Sequence, residues 1–246
     1  MKKQFIVLMM CVILAMLNLT GCVIVGFTSR DLVTAKGERE VYETSVDEYN
    51  KIRVEGYCEI NYYSSPSDTI TLEVQSNIRE YYTIEVVNGE LIVRAEKRIN
   101  FNSAKIPVLS VYAPDLEQIN LSGAGTLKTH DPIVADSFKL IISGAADGNV
   151  ELDADNLSVT VSGAGNFTLS GRADTAYINM SGAGKLNALE LQTLESEINL
   201  SGAGTIQINC TEKLKINAGG VGSIEYSGSP EIDLNTGGVV SIRKID

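Results

Sequence analysis

The stretch Ile198-Asn199-Leu200-Ser201-Gly202-Ala203-Gly204-Thr205-Ile206-Gln207-Ile208 decides the fold. On both sides of its Gly-rich centre, apolar and polar residues alternate with period 2. In an extended chain this turns Ile198 and Leu200 to one side and Asn199 and Ser201 to the other. Between the two runs, the glycines allow a corner with positive φ or a close approach of backbone to backbone. Two short strands meeting at a corner cannot enclose a core alone, so the meaning of the stretch depends on whether it recurs.

It recurs along the whole C-terminal half. Ser-Gly-Ala-Gly stands at Ser122–Gly125, Ser162–Gly165, Ser181–Gly184 and Ser201–Gly204, with a near copy at Ser143-Gly144-Ala145-Ala146. Two degenerate copies follow, Gly219-Gly220-Val221-Gly222 and Gly237-Gly238-Val239-Val240. Three residues before each copy lies an aliphatic: Ile119, Leu140, Val159, Ile178, Ile198, Ile216 and Leu234, at spacings of 21, 19, 19, 20, 18 and 18. A second column follows each corner at Leu127, Val150, Phe167, Leu186, Ile206, Ile224 and Ile242. The spacing of 21 is read as two residues inserted around Asp147-Gly148, before Val150. A third, weaker apolar position precedes the next copy, as at Leu157, Leu214 and Ile232.

Direct repeats this short stack on one another to share a core. The expected fold is all-β: a parallel β-helix, right-handed favoured, of about seven coils (roughly 34 Å long at 4.8 Å per coil) with a β-rich N-terminal part. An antiparallel meander would need two-fold rather than translational repetition. Period-2 runs and glycine density exclude amphipathic helices.

Residues 41–115 do not show the repeat. Ile52–Val54 and Cys58–Tyr62 alternate, as does Thr69–Val74 after the Ser65-Pro66-Ser67-Asp68 turn. Asn88-Gly89 joins Ile84–Val87 to Leu91–Val93 in a hairpin pattern. Val108–Tyr112 reads as a further strand, closed by Pro114-Asp115. This part is expected to pack on, or continue, the first coil of 116–246 and to cap an otherwise open sheet edge.

The first residues read as an address. Lys2 and Lys3 precede an apolar run from Phe5 to Leu17, 13 residues, short of the roughly 20 that span a bilayer. The run leads to Leu19-Thr20-Gly21-Cys22, the pattern of a bacterial lipobox. Residues 1–21 are therefore expected to be a lipoprotein signal peptide, Cys22 the lipidated residue, and 22–40 a tether. The protein is expected in the cell envelope, exported and held to the membrane through its N-terminal lipid, at the cell surface or in the periplasm. Of the remaining cysteines after the leader, Cys58 and Cys210 lie on different segments, and buried free thiols are expected.

At this point a family resemblance is clear. The lipobox, Ile52-Arg53-Val54-Glu55-Gly56, Asn88-Gly89-Glu90-Leu91, Ala113-Pro114-Asp115-Leu116 and the serial Ser-Gly-Ala-Gly turns resemble the bacterial family called putative auto-transporter adhesin, head GIN domain. The resemblance covers about Val41 to Asp246. It implies a right-handed parallel β-helix in an envelope protein, and the family's name suggests adhesion. It implies no catalytic or binding residues.

Composition narrows the functions. With 31 acids against 20 bases the net charge is −11, which argues against nucleic-acid partners. His130 is the one histidine, leaving little from which to build a His-based metal site or catalytic triad. Beside it, Asp131 would point away along an extended chain. The Ser-Gly-Ala-Gly turns lack the following helix and the Gly-Lys-Ser/Thr of phosphate-binding loops. Asp147, Glu151, Asp153 and Asp155 form an acidic cluster of the kind used by β-helix polysaccharide enzymes, but no neighbouring coil supplies a recurring base. They read as solvated turn acids. No catalytic residue, metal or cofactor is expected.

Asn120, Asn179, Asn199, Asn217 and Asn235 share one column, interrupted by Ile141 and Thr160. They can form an amide ladder. Facing outward with Ser122, Ser143, Ser162, Ser181 and Ser201, they make a polar stripe able to bind a glycan or a partner's backbone. Six of the ten tyrosines (Tyr49, Tyr57, Tyr62, Tyr63, Tyr81 and Tyr82) crowd the N-terminal part, where they either stack on sugars or fill half-buried strands. The leading expectation is a non-enzymatic adhesion or interaction scaffold with a glycan or an envelope protein as partner. The alternatives are a carbohydrate-binding or carbohydrate-active β-helix protein and a structural envelope-stress accessory. A cleft lined by acids and tyrosines on consecutive coils would favour carbohydrate, and a smooth Ser/Asn/Thr face would count against it.

Overall fold

A computed structural model describes residues 32–96, 98–101 and 105–245. The leader and Cys22 lie outside the described residues. Val33–Asp246 forms one compact unit, nearly all of it strand, wound as a β-solenoid of about seven turns with stacked parallel coils. The expected fold class is therefore the observed one.

The strands of the repeat are β10 (Gln118–Leu121), β11 (Ala124–Thr129), β12 (Ile133–Ile142), β13 (Ala145–Val161), β14 (Ala164–Met180), β15 (Ala183–Leu200), β16 (Ala203–Ala218), β17 (Val221–Ser227), β18 (Glu231–Thr236) and β19 (Val239–Lys244). Each coil pairs in parallel with the next, in register. Ile119 lies against Leu140, then come Val159, Ile178, Ile198, Ile216 and Leu234. The aliphatic column read from the sequence is thus a physical column, and it is buried from Ile119 to Ile216. β13 to β16 each run 16 to 18 residues because the chain bends round a second corner without leaving the ladder. Two adjacent exposed residues, such as Asp155-Asn156, mark that bend.

The Ser-Gly-Ala-Gly corner is a backbone lattice. The N–H groups of Ser181 and Gly182 both donate to the carbonyl of Val161, at 2.9 and 3.0 Å, and Ala183 N–H donates to Gly163 O at 3.0 Å. The same bonds recur at every corner. A Cβ on Gly182 would overlap the carbonyl oxygen of Gly163, so the corners stack only while this position is glycine. The last glycine is held by conformation as well: Gly184 has φ 139°. The first position is open, since a Cβ on Gly219 would meet no atom within 4 Å. Hence that position reads Ser, Ser, Ser, Ser, Ser, Gly, Gly along the chain.

One detail of the sequence reading is corrected. Leu127 pairs with Gly148, which pairs with Phe167, so Gly148, not Val150, occupies the second column. A Cβ there would come within 2.7 Å of Phe167 Cε1; the ring fills the space a side chain would have taken. The two extra residues behind the spacing of 21 lie between Leu127 and Ile133, around His130-Asp131-Pro132.

The N-terminal part continues the stack. β3 (Lys51–Glu55) and β4 (Tyr57–Tyr63) lie parallel beneath β10 and β11, with Ile52 under Ile119, Val54 under Leu121 and Ile60 under Leu127. Below them lie β7 (Glu90–Ala95) and β9 (Val108–Tyr112), still parallel. Direction then reverses: β5 (Thr69–Gln75) is antiparallel to β9, β2 (Arg39–Ser45) to β5, and β6 (Tyr82–Val87) to β7. The β6–β7 hairpin turns at Asn88 and Gly89, with φ 52° and 74°. These antiparallel strands close the N-terminal end over Ile70, Leu72 and Val74, all buried.

Part of the stretch expected to be tether is structured. β1 (Leu32–Thr34) pairs with β8 (Arg98–Asn100) in a separate two-stranded sheet. Ala35 N–H donates to Asn100 O at 2.8 Å, and Asn77 Nδ2 donates to Thr34 O at 2.9 Å. Backbone groups with fixed partners hold this segment down.

Candidate functional site

Period 2 places Gln118, Asn120 and Ser122 outward while Ile119 and Leu121 fill the core. Repeated at each coil, this makes one outer face from parallel columns. The asparagine column is real: Asn120, Ile141, Thr160, Asn179, Asn199, Asn217 and Asn235 follow one another in register. The first four asparagines are half-buried and Asn235 is exposed, while Ser122, Ser143, Ser162, Ser181 and Ser201 are exposed beside them. Asn217 Nδ2 donates to Asn199 Oδ1 at 2.9 Å and lies 3.4 Å from Glu197 Oε1. That is one rung of an amide ladder. At the other end the ladder fails, because Ile141 follows Asn120 and the buried Asn120 Oδ1 has no hydrogen bond.

The concave part of this surface lies at the adjoining corner, two residues along. Lys51, Gln118, Lys139, Ser158 and Tyr177 form the neighbouring outward column. They line an open groove of about 890 Å³ together with Asp115, Glu117 and Val134 to Ser137. Tyr177 is 43% exposed and Val134 60%. Lys51 Nζ lies 4.0 Å from Glu117 Oε2, too loose to immobilise either group. Asn156 and Thr175 are tied to each other, Thr175 Oγ1 donating to Asn156 Oδ1 at 2.8 Å. The groove therefore combines an aromatic platform, an apolar wall, amides, hydroxyls and charges of both signs, which suits a neutral polar ligand with one apolar face. The sequence reading did not isolate it. Tyr177 stands alone on its coil, and nothing in the local sequence says that it shares a groove with Asp115, three coils away.

The other expected features fall into structural roles. Tyr49 OH donates to Tyr112 O at 2.8 Å and accepts from Tyr112 N–H at 3.0 Å, and burial pushes its pKa up to about 12. Tyr62 OH donates to Ala113 O at 2.7 Å and Tyr82 OH to Tyr57 O at 3.1 Å. Tyr63 stacks between Tyr112 and His130, with centroids 5.2 and 4.7 Å away. Most of the N-terminal tyrosines are thus cap and core. His130 Nε2 lies 2.9 Å from Asn61 Oδ1, whereas Asp131 Oδ2 accepts from Ser64 N–H at 3.1 Å; the two side chains serve different partners. Asp147 Oδ1 accepts from both the N–H and the Nδ2 of Asn166, at 2.7 and 2.9 Å, a tie between coils. Among the described residues no three His, Cys, Asp or Glu side chains converge as a metal site. Cys58 and Cys210 are free and buried, and burial pushes the Cys58 thiol up to about 12. Cys210 Sγ donates to Leu194 O at 3.2 Å and lies 3.1 Å from Lys213 O.

The model of the family described as putative auto-transporter adhesin, head GIN domain, matches residues 48–230. The chain belongs to this family. Among solved structures, "a putative adhesin" from Bacteroides fragilis NCTC 9343 is 25% identical, with a TM-score of 0.81 over 87% of this chain and all of that one. A "putative lipid binding protein" from Parabacteroides distasonis ATCC 8503 is 22% identical, with a TM-score of 0.70 over 87% of this chain and all of its own. A "putative adhesin" from Parabacteroides merdae ATCC 43184 is 20% identical, with a TM-score of 0.63 over 88% of this chain and all of its own. The last two show the shared fold. No curated protein matches the chain.

Proposed function

We propose that this protein is a lipid-anchored, non-enzymatic adhesion or interaction scaffold of the cell envelope. The observation that carries the reading is the outer face of the solenoid, with its open groove running from Asp115 to Tyr177, in a family described as adhesins. A rigid ladder holds such a face in place without induced fit, which lowers the ordering cost of binding an extended partner. Anchoring is supported by Leu19-Thr20-Gly21-Cys22. Two of the side chains that would have suited catalysis are engaged elsewhere: Asp147 by Asn166 and His130 by Asn61.

The groove favours a carbohydrate as the ligand over a purely structural role. Tyr177 offers a ring face for one sugar, and Asp136 and Lys139 two coils away and Asp115 and Glu117 three coils away offer hydroxyl partners to further units of an extended glycan. The test is a glycan and matrix-protein array probed with the folded full chain in detergent, with and without calcium. Binding to a glycan that falls at least about tenfold in Tyr177→Ala is expected. A blank array with folded protein would sink the adhesion and carbohydrate readings together. Turnover of a polysaccharide, abolished by Asp147→Asn or Asp153→Asn, would overturn the non-enzymatic assignment. Incorporation of labelled fatty acid, lost in Cys22→Ala, tests the anchor.

A further inference from the structure

The C-terminal end of the solenoid presents an open edge. Among the described residues β18 pairs only with β16, and β19 only with β17. Gly237 N–H donates back to Ala218 O and Ile245 N–H to Tyr226 O, at 3.0 and 2.8 Å. Backbone groups alternate sides along a strand. The odd-numbered residues of β18 and β19 therefore bond to the stack, and Ile232, Leu234, Thr236, Val240 and Ile242 direct N–H and C=O to the open side. Leu234 is 50% exposed and Val239 78%. Charge is divided between the two strands: β18 carries Glu231 and Asp233, β19 carries Arg243 and Lys244.

We propose that this edge pairs with the same edge of a second copy, across a two-fold axis through Gly238. A second copy turned about that axis runs antiparallel and lays its β19 on this β18. One register then satisfies three conditions together. Leu234 faces the partner's Ile242 and Thr236 faces the partner's Val240, so core side chains meet core side chains. These same residues direct their free N–H and C=O groups at each other, as the hydrogen-bonded pairs of an antiparallel ladder require. Asp233 faces the partner's Arg243, which extends the alternation of sign already present between coils: Lys215 binds Glu197 at 3.2 Å, and Arg243 binds Glu225 at 2.6 Å. A β18-on-β18 pairing centred on Asp233 would set that carboxylate against its own copy, and one centred on Leu234 would leave Asp233 opposite Asn235 with no cation. The pair is closed, so it covers the edge without growing into a fibre. It also sets the two capped ends at opposite poles.

The test is sedimentation equilibrium of the full chain in density-matched detergent up to about 100 μM. A reversible dimer is expected, weakened at least about tenfold by Asp233→Arg, which sets like charges across the axis. The double variant Asn235→Cys, Ser241→Cys is expected to oxidise to a covalent dimer, because these positions face each other in the same register, while either single variant is not. A monomer at every concentration, a dimer that Asp233→Arg leaves intact, or a double-cysteine variant no more cross-linked than the parent would each overturn the proposal. None of these readings depends on the glycan groove or on the anchor.

Discussion

The two ends of the solenoid are built from the same alternating strands and finished differently. At the N-terminal end β5 and β2 reverse direction over the last parallel row, burying Ile70, Leu72 and Val74. Tyrosine hydroxyls are tied to backbone carbonyls, as Tyr49 is to Tyr112 and Tyr62 to Ala113. At the C-terminal end β18 and β19 add one more row of the repeat, and its apolar residues Ile232 and Leu234 remain exposed. Translational repetition supplies a core but no way to stop, because each row leaves behind an edge like the one it covered. Ending a stack takes residues that break the repeat, and among the described residues those of the N-terminal part do so.

That contrast can be tested in order of expected effect. Leu72→Ala in the cap should cost about 2–5 kcal/mol, as deletion of a fully buried leucine does, whereas Leu234→Ala on the open row should cost less than about 1 kcal/mol. Chemical denaturation of the two variants decides it, and equal losses would mean that the ends are equally well packed. Next, Gly220→Ala should destabilise by roughly 2–4 kcal/mol, because its Cβ would overlap the carbonyl of Gly202. Its neighbour Gly219→Ala should stay within about 0.5 kcal/mol of the parent. If both were silent, the stacking of the corners near the open end would be looser than described.

The ends should also differ in pH response. Tyr49 and Cys58 have folded-state pKa values raised by burial to about 12, from ordinary values of 10 and 9. A raised value favours the protonated form in the folded state, so their contribution is complete below the ordinary values and is lost as pH rises toward 12. Denaturation midpoints measured across that window should fall, and Tyr49→Phe should flatten the fall. At the open end, Glu225 has its pKa lowered by hydrogen bonds from Gln207 and then from Arg243. Its contribution is present above the usual glutamate range and is lost as pH falls through the lowered value. Hydrogen exchange in β17 and β19 should accelerate there before β2 and β5 respond, the smallest of these effects.

How much of this was legible depends on the distance over which each feature is encoded. The first aliphatic column, the corner glycines and the Asn88-Gly89 turn are all read within about twenty residues and appear where expected, as does the second column but for its member at Gly148. The row formed by β3 and β4 escaped the repeat count. Its Ile52, Val54, Gly56 and Ile60 match Ile119, Leu121, Gly123 and Leu127, but the offset between the two rows is 67 residues, far outside the spacing of 18 to 21 within the repeat. Gly148 was misassigned because a glycine gives no hydrophobic signal, and only the partner ring of Phe167 shows why it stands there. The asparagine column was found, since its members recur. The groove was not, since Tyr177, Lys139 and Asp115 come from three different coils and none of them recurs.

Sequence alone determined the strand period, the coil repeat, the positions that must be glycine and the family, because each depends on residues close in the chain. Tertiary structure alone decided three further matters: which strands of the N-terminal part form the expected cap and which continue the stack, the groove at the corner beside the asparagine column, and the edge left open on the other side. The physical reason is that stacking brings every row within about 4.8 Å of the next, so neighbours across the coils carry the chemistry. The chain order of those neighbours says little about which of them meet.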